Sequence, residues 1–130
     1  MSQRRTIIAK RSFANAFADA IDGIRQAFVD QPNFRRQLGL AVVAIGLAAL
    51  LRFDAIHWLV LCAAIGLVLA AELFNTSLEH IVDLVQPDDH PLARAAKHAG
   101  AGAVLIASLM AVAAGIYLYG GAVLLRLAGR

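Results

Sequence analysis

Cysteine, proline, aromatic residues and charge are all scarce in this chain. Cys62 is the single cysteine in 130 residues, which excludes a disulfide framework and any CxxC motif. It stands within an apolar run and is expected to be a small core or lipid-facing residue. Charged residues make up 16% of the chain against 60% hydrophobic, with a mean hydropathy of +0.68. A soluble domain of this size cannot hide so much apolar surface, so lipid must cover part of it. No internal repeat, low-complexity tract, Walker loop or protein-kinase signature occurs. Nor is the start a cleavable signal: the first long apolar run begins only near Leu38, too late for one. The net charge of +3 and pI near 9.6 do not point to nucleic acid. Seven of the twelve Lys/Arg lie in the first 36 residues, without aromatic-basic interleaving elsewhere.

Three uncharged runs are present. Leu38–Leu51 and Trp58–Ala71 have fourteen residues each, and Ala99–Leu125 has twenty-seven. A bilayer core needs about 20 helical residues, so the third run suffices alone and the first two need their flanks. Positions 1–130 read as one all-α membrane domain, with spans at 36–52, 55–86 and 91–125. Pro91 suits a first helical position, with His90 or Asp89 as the cap. Upstream, Phe13, Phe17, Ile21, Ile24 and Phe28 fall within one arc of about 80°, opposite Arg11, Asn15, Asp19, Asp22 and Gln26. The segment 12–30 is therefore expected to lie as an amphipathic helix on the cytosolic leaflet. Arg4, Arg5, Lys10, Arg11, Arg25, Arg35, Arg36, Arg94 and Lys97 oppose Arg52, Arg126 and Arg130. This asymmetry places the N-terminus in the cytosol of a bacterial inner or plasma membrane and the C-terminus outside.

The second run leads directly into ELFNTSLEHIVD. Glu72, Asn75, Glu79 and Asp83 share an arc of about 80° on a helix, and Glu72 and Glu79 are the only glutamates in the chain. Carboxylates at membrane depth cost a few kcal/mol each, so they normally face a wet cavity or a cation. Oxygen ligands on one stripe suit Mg²⁺; a helix-packing network, or acids that simply reach water, is the structural alternative. Beyond the second connection, Arg94, Lys97 and His98 precede a run of small residues from Ala99 to Ala103. That start would admit a polyphosphate closely, although small residues also serve helix packing.

AELFNTSLEHIVDLV followed by HPLARAAKHAGAGAVLI resembles the bacterial integral-membrane diacylglycerol kinase family, which includes undecaprenol kinases. The resemblance runs from about Phe13 to Tyr117. It implies an ATP-dependent lipid kinase with an amphipathic surface helix, three transmembrane helices and a homotrimeric assembly. Glu72 then corresponds to a general base toward the lipid hydroxyl. Glu79 and Asn75 correspond to Mg²⁺ positions, and Asp83 and Lys97 to the nucleotide site. Two positions depart from the pattern. Gln37 stands where diacylglycerol kinases usually carry glutamate, which favours undecaprenol over diacylglycerol as the lipid alcohol. His98 stands where the family has aspartate, still within the ATP-binding set. The competing readings are a non-catalytic trimeric membrane protein of this descent and a cation or proton pathway along the acidic stripe. The charge asymmetry has a direct check in intact cells. A cysteine placed near Lys10 is expected to be shielded from impermeant reagent and one near Gly129 to be labelled; the reverse pattern overturns the orientation.

Overall fold

The structure is a computed structural model that describes residues 12–129, apart from the side chain of Leu125. Every described element is helical: α1 (Phe13–Asp30), α2 (Pro32–Leu50), α3 (Ala55–Val85) and α4 (Pro91–Leu127). Arg4, Arg5, Lys10, Arg11 and Arg130 lie outside the described residues.

The breaks between helices have local causes. Proline disfavours the helical region for the residue before it, and Gln31, ahead of Pro32, is extended at φ −108° and ψ 105°. Arg35 reaches back across this elbow, donating from Nη1 to the carbonyls of Phe28 at 3.0 Å and Val29 at 2.7 Å. A cation is thereby placed on the negative end of α1. At the other end of α2, Phe53 N donates to Ala48 O and Arg52 N to Ala49 O, both at 3.1 Å. This wrapped helix end needs a left-handed residue, usually glycine, and here Arg52 takes it at φ 53°. Asp54 then caps α3 by accepting from His57 N at 2.9 Å. That backbone donor, followed by the His57 ring, holds the Asp54 carboxyl below its ordinary value of 3.8. In the last connection His90 is the cap, its Nδ1 accepting from Leu92 N at 3.2 Å, with Pro91 in the first turn. Asp89 instead pairs with Arg94 at 2.5 Å.

α3 and α4 form a long antiparallel hairpin joined by residues 86–90, and α2 packs along α3. The face of α2 that is buried repeats every seventh residue: Phe34, Ala41 and Ala48. Small alanines at two of these positions permit close helix approach. The core sits at the α2–α3 turn, where Ala48, Leu61 and Leu118 are buried beneath Phe53, Trp58, Ile65 and Tyr119. Tyr119 ties the bundle across this core, its hydroxyl donating to Ala44 O at 2.7 Å.

Little else is buried. The accessible surface is 10334 Å², against roughly 6600 Å² for a compact soluble chain of this mass. Ala55–Val85 and Pro91–Leu124 are long and apolar enough to cross a membrane, with only 11% of an apolar 18-residue stretch buried in each. α2 is apolar only beyond Gln37, because Asn33, Arg35 and Arg36 occupy its start. On α1 the apolar stripe is also uncovered, Phe13 being 88% and Phe28 46% exposed. Cys62 is exposed on the apolar outside of α3. The exposed surface matches a chain solvated by lipid rather than water. Removing the Tyr119 hydroxyl tests the core tie: Tyr119→Phe is expected to destabilise the detergent-solubilised protein by about 1 kcal/mol. An unchanged thermal midpoint would show that Ala44 O finds another partner.

Candidate active site

The acidic stripe occupies the C-terminal half of α3, and each of its side chains meets a different neighbour. Glu72 lies deepest, only 4% exposed. From α2, Gln37 donates through Nε2 to Glu72 Oε2 at 3.1 Å. The other amide atom, Gln37 Oε1, is buried without a hydrogen-bond partner among the described residues. An apolar cavity of about 240 Å³ begins at Gln37 and runs between α2, α3 and α4 past Leu40, Ala44, Leu61 and Ser108. Gln37 thus links the two: its side chain lines the cavity and holds the buried Glu72 carboxylate, which is not itself part of the lining.

One turn further along α3, Asn75 Nδ2 donates to Glu79 Oε1 at 3.0 Å. The amide oxygen of Asn75 is buried and unpartnered. It lies against Gly100 of α4, where an added Cβ would fall on it. The gap in the small-residue run from Ala99 to Ala103 is therefore filled at this level by Asn75 itself. At the mouth of the hairpin, Lys97 Nζ pairs with Asp83 Oδ1 at 2.5 Å, both side chains partly exposed. His98, the next residue, is exposed and makes none of these contacts.

Along the axis the order is Lys97–Asp83, then Asn75–Glu79, then Glu72–Gln37. From Asp83 to Glu72 is eleven residues, or about 16 Å of helix. The open end carries a cation and a carboxylate, the middle carries oxygen donors, and the inner end carries a lone buried carboxylate. On the remaining side α1 lies over α3, leaving a second cavity of about 240 Å³ lined by Gly23, Ala27, Thr76 and His80 among others. This arrangement lets a charged molecule enter from water and an apolar one from lipid, so that they meet along one helix face.

Residues 18–119 match the family described as prokaryotic diacylglycerol kinase. The chain belongs to this family. It is 33% identical over 107 residues to the undecaprenol kinase of Bacillus subtilis (strain 168), covering 82% of this chain and 87% of that one. It is 44% identical over 101 residues to the diacylglycerol kinase of Synechocystis sp., 77% of this chain but 58% of that relative. With the diacylglycerol kinase of Escherichia coli (strain K12) it shares 34% over 90 residues, 69% of this chain and 74% of the relative. Family members act in membranes, in keeping with the apolar helices of this chain.

Two participants escaped sequence reasoning. Gln37 drew notice only as a departure from the family pattern, whereas it is the hydrogen-bond partner of Glu72, 35 residues away. Gly100 belonged to a small-residue run read either as room for a polyphosphate or as helix packing, and its missing side chain is what admits Asn75, a partner the spacing did not name. The only prior signal for either was that a neutral amide and a glycine stand in segments rich in special positions. Gly100→Ala is expected to force Asn75 off Glu79 and to cost about 1–3 kcal/mol, as overpacking does. A thermal midpoint equal to that of the unaltered protein would show that α4 can shift to make room.

Proposed function

We propose that this lipid kinase transfers the γ-phosphate of ATP to the hydroxyl of a lipid alcohol, with Glu72 as the general base. The observation that carries the reading is the buried Glu72 carboxylate, held by the same Gln37 side chain that lines an apolar cavity between the helices. Removing an ionised carboxylate from water costs several kcal/mol, and one hydrogen bond from an amide recovers only about 1.5–3 of them. Stability alone gives no reason to keep an acid there; proton abstraction from an alcohol that arrives from the lipid does. With Oε2 bound to Gln37, Oε1 of Glu72 is the atom left to take the proton. The alcohol oxygen attacks the γ-phosphorus as the bond to the β-phosphate bridging oxygen breaks, and ADP departs from the open end.

Lys97 is assigned to the nucleotide phosphates. Its ammonium is held by Asp83, which positions it at the hairpin mouth, where a more highly charged polyphosphate would compete for it. That same pairing offers a reason why histidine is tolerated at 98: Asp83, from the neighbouring helix, supplies the negative charge that aspartate after the lysine would otherwise bring. His98 is assigned to the outer edge of the nucleotide site. Asn75 and Glu79 are assigned to Mg²⁺. Their chemistry fits, since Mg²⁺ takes one or two protein oxygens and completes its shell with phosphate and water. The unpartnered Asn75 oxygen beside a half-buried carboxylate is a donor set of that kind. A bound Mg²⁺ would neutralise charge developing on the phosphoryl oxygens.

The reading places α1 flat on the cytosolic leaflet, α2, α3 and α4 across the bilayer, and three copies together as a homotrimer. The uncovered apolar stripe of α1 and the uncovered faces of α3 and α4 support this arrangement. Undecaprenol is favoured over diacylglycerol, on the strength of Gln37 and of the similarity to the Bacillus undecaprenol kinase.

Transfer of labelled γ-phosphate from ATP to undecaprenol and to diacylglycerol by purified protein is the direct test, with undecaprenol expected to give the higher kcat/KM. No transfer to either would remove the assignment. Glu72→Gln is expected to lower kcat by about 10²–10⁴ while nucleotide affinity survives. Glu79→Gln should abolish transfer yet leave a folded oligomer. Equal loss of nucleotide affinity in Glu72→Gln would move that residue into the binding site, and retained activity of Glu79→Gln at saturating Mg²⁺ would remove its carboxylate from the mechanism.

A further inference from the structure

At the end of the bundle remote from the acidic stripe, the α2–α3 turn and the last turns of α4 enclose a second polar feature. A cavity of about 420 Å³ there is lined by Arg52, Asp54, His57, Tyr117 and Arg126, with Gly121 and Ala122 leaving the space open. Its charges are two guanidinium groups against one carboxylate. That carboxylate is already engaged: Asp54 Oδ1 accepts from His57 N at 2.9 Å and from the His57 ring at 2.7 Å. Arg126 is fixed over the turn by one bond, from Nη2 to Leu50 O at 3.1 Å. Its other N–H groups and the whole guanidinium of Arg52 have no hydrogen-bond partner among the described residues. The pocket therefore presents surplus donors, those of Arg126 fixed by its bond to Leu50 O, and a net positive charge.

Arg52 adds a separate observation. It occupies a left-handed position at φ 53° that glycine fills without steric cost. A strained non-glycine residue is retained where its side chain is needed, and the side chain here lines the cavity. Position along the molecule then names the ligand. Asp54 and Asp83, at the two ends of α3, are 29 residues apart, or about 43 Å of helix. A bilayer with its headgroups is about 40–45 Å thick. With Asp83 and Lys97 at one headgroup layer, the Arg52–Arg126 cavity lies at the phosphate level of the other. Tyr117, 77% exposed beside it, is an interfacial residue with an apolar ring and a hydroxyl donor.

The geometry points to a phosphate-binding site for an anionic phospholipid of the opposite leaflet, with Arg52, Arg126 and Tyr117 as its donors. Two guanidinium groups that converge on one cavity suit a phosphodiester, to which Arg binds through paired N–H groups. The site stands apart from the acidic stripe and does not depend on the kinase reading.

Native mass spectrometry of the full-length protein in detergent, with phosphatidylglycerol or phosphatidylcholine added, tests it. Preferential retention of phosphatidylglycerol is expected, with Arg52→Gly and Arg126→Gln each weakening it about tenfold or more, as loss of a charge-assisted hydrogen bond does. Arg52→Gly should also raise the thermal midpoint, because glycine relieves the left-handed strain; a merely structural Arg52 would not move stability and lipid retention in opposite directions. Equal retention of the two lipids, or unchanged retention in both variants, overturns the proposal. Displacement of phosphatidylglycerol by millimolar inorganic phosphate would overturn the lipid assignment and give the site to a soluble anion.

Discussion

The hydrogen bond from Gln37 to Glu72 joins α2 to α3 at a buried carboxylate, and the arrangement of the inner site depends on it. In a low-dielectric setting an amide N–H directed at a carboxylate is stronger than the same contact in water, and its absence is correspondingly costly. The bond sets the rotation of α2 against α3. Once the two helices are so placed, the alanines at positions 41 and 48 of α2 allow close approach, and the apolar passage opens between the helices. The same bond engages one carboxylate oxygen of Glu72 and leaves the other without a hydrogen-bond partner among the described residues.

α4 completes the stripe by a matched absence. Asn75 needs space between the helices, and Gly100 supplies it by lacking a Cβ. Three residues earlier on α4, Lys97 meets Asp83, which lies four residues, about one turn, beyond Glu79 toward the hairpin connection. An antiparallel hairpin with residues 86–90 as its turn brings Asn75 and Gly100 to nearly the same level, and the long Lys97 side chain reaches from there toward the turn to meet Asp83. The polarity gradient from the mouth to Glu72 follows from this register rather than from any single residue.

The two ends of the molecule carry different kinds of polar group. The α3–α4 mouth holds the ion pairs Asp83–Lys97 and Asp89–Arg94, whose charges are mutually satisfied. At the far end Arg52 and Arg126 outnumber Asp54, whose charge already belongs to the start of α3. The aromatic group of Phe53, His57 and Tyr119, with ring centroids 5.0 and 5.4 Å from Phe53, stiffens that turn. It keeps the left-handed Arg52 in place beside the core of Ala48, Leu61 and Leu118.

Much of this was legible in one dimension. The apolar periodicity of α1, the long uncharged runs, the cap ahead of Pro91 and the shared face of Glu72, Asn75, Glu79 and Asp83 all arise from interactions within a few residues. A helix converts spacing into direction at a constant 100° or so per residue, so they can be computed from the sequence. Local chemistry already left a choice at the cap, where His90 rather than Asp89 accepts the bond because Arg94 engages Asp89. The pairings across helices were of another kind. Gln37 with Glu72, Gly100 with Asn75 and Tyr119 with Ala44 are separated by 25 residues or more, and nothing in their spacing favours one partner over several others. Those choices belong to helix packing, which has to fit side-chain volumes and satisfy the few buried polar atoms at the same time.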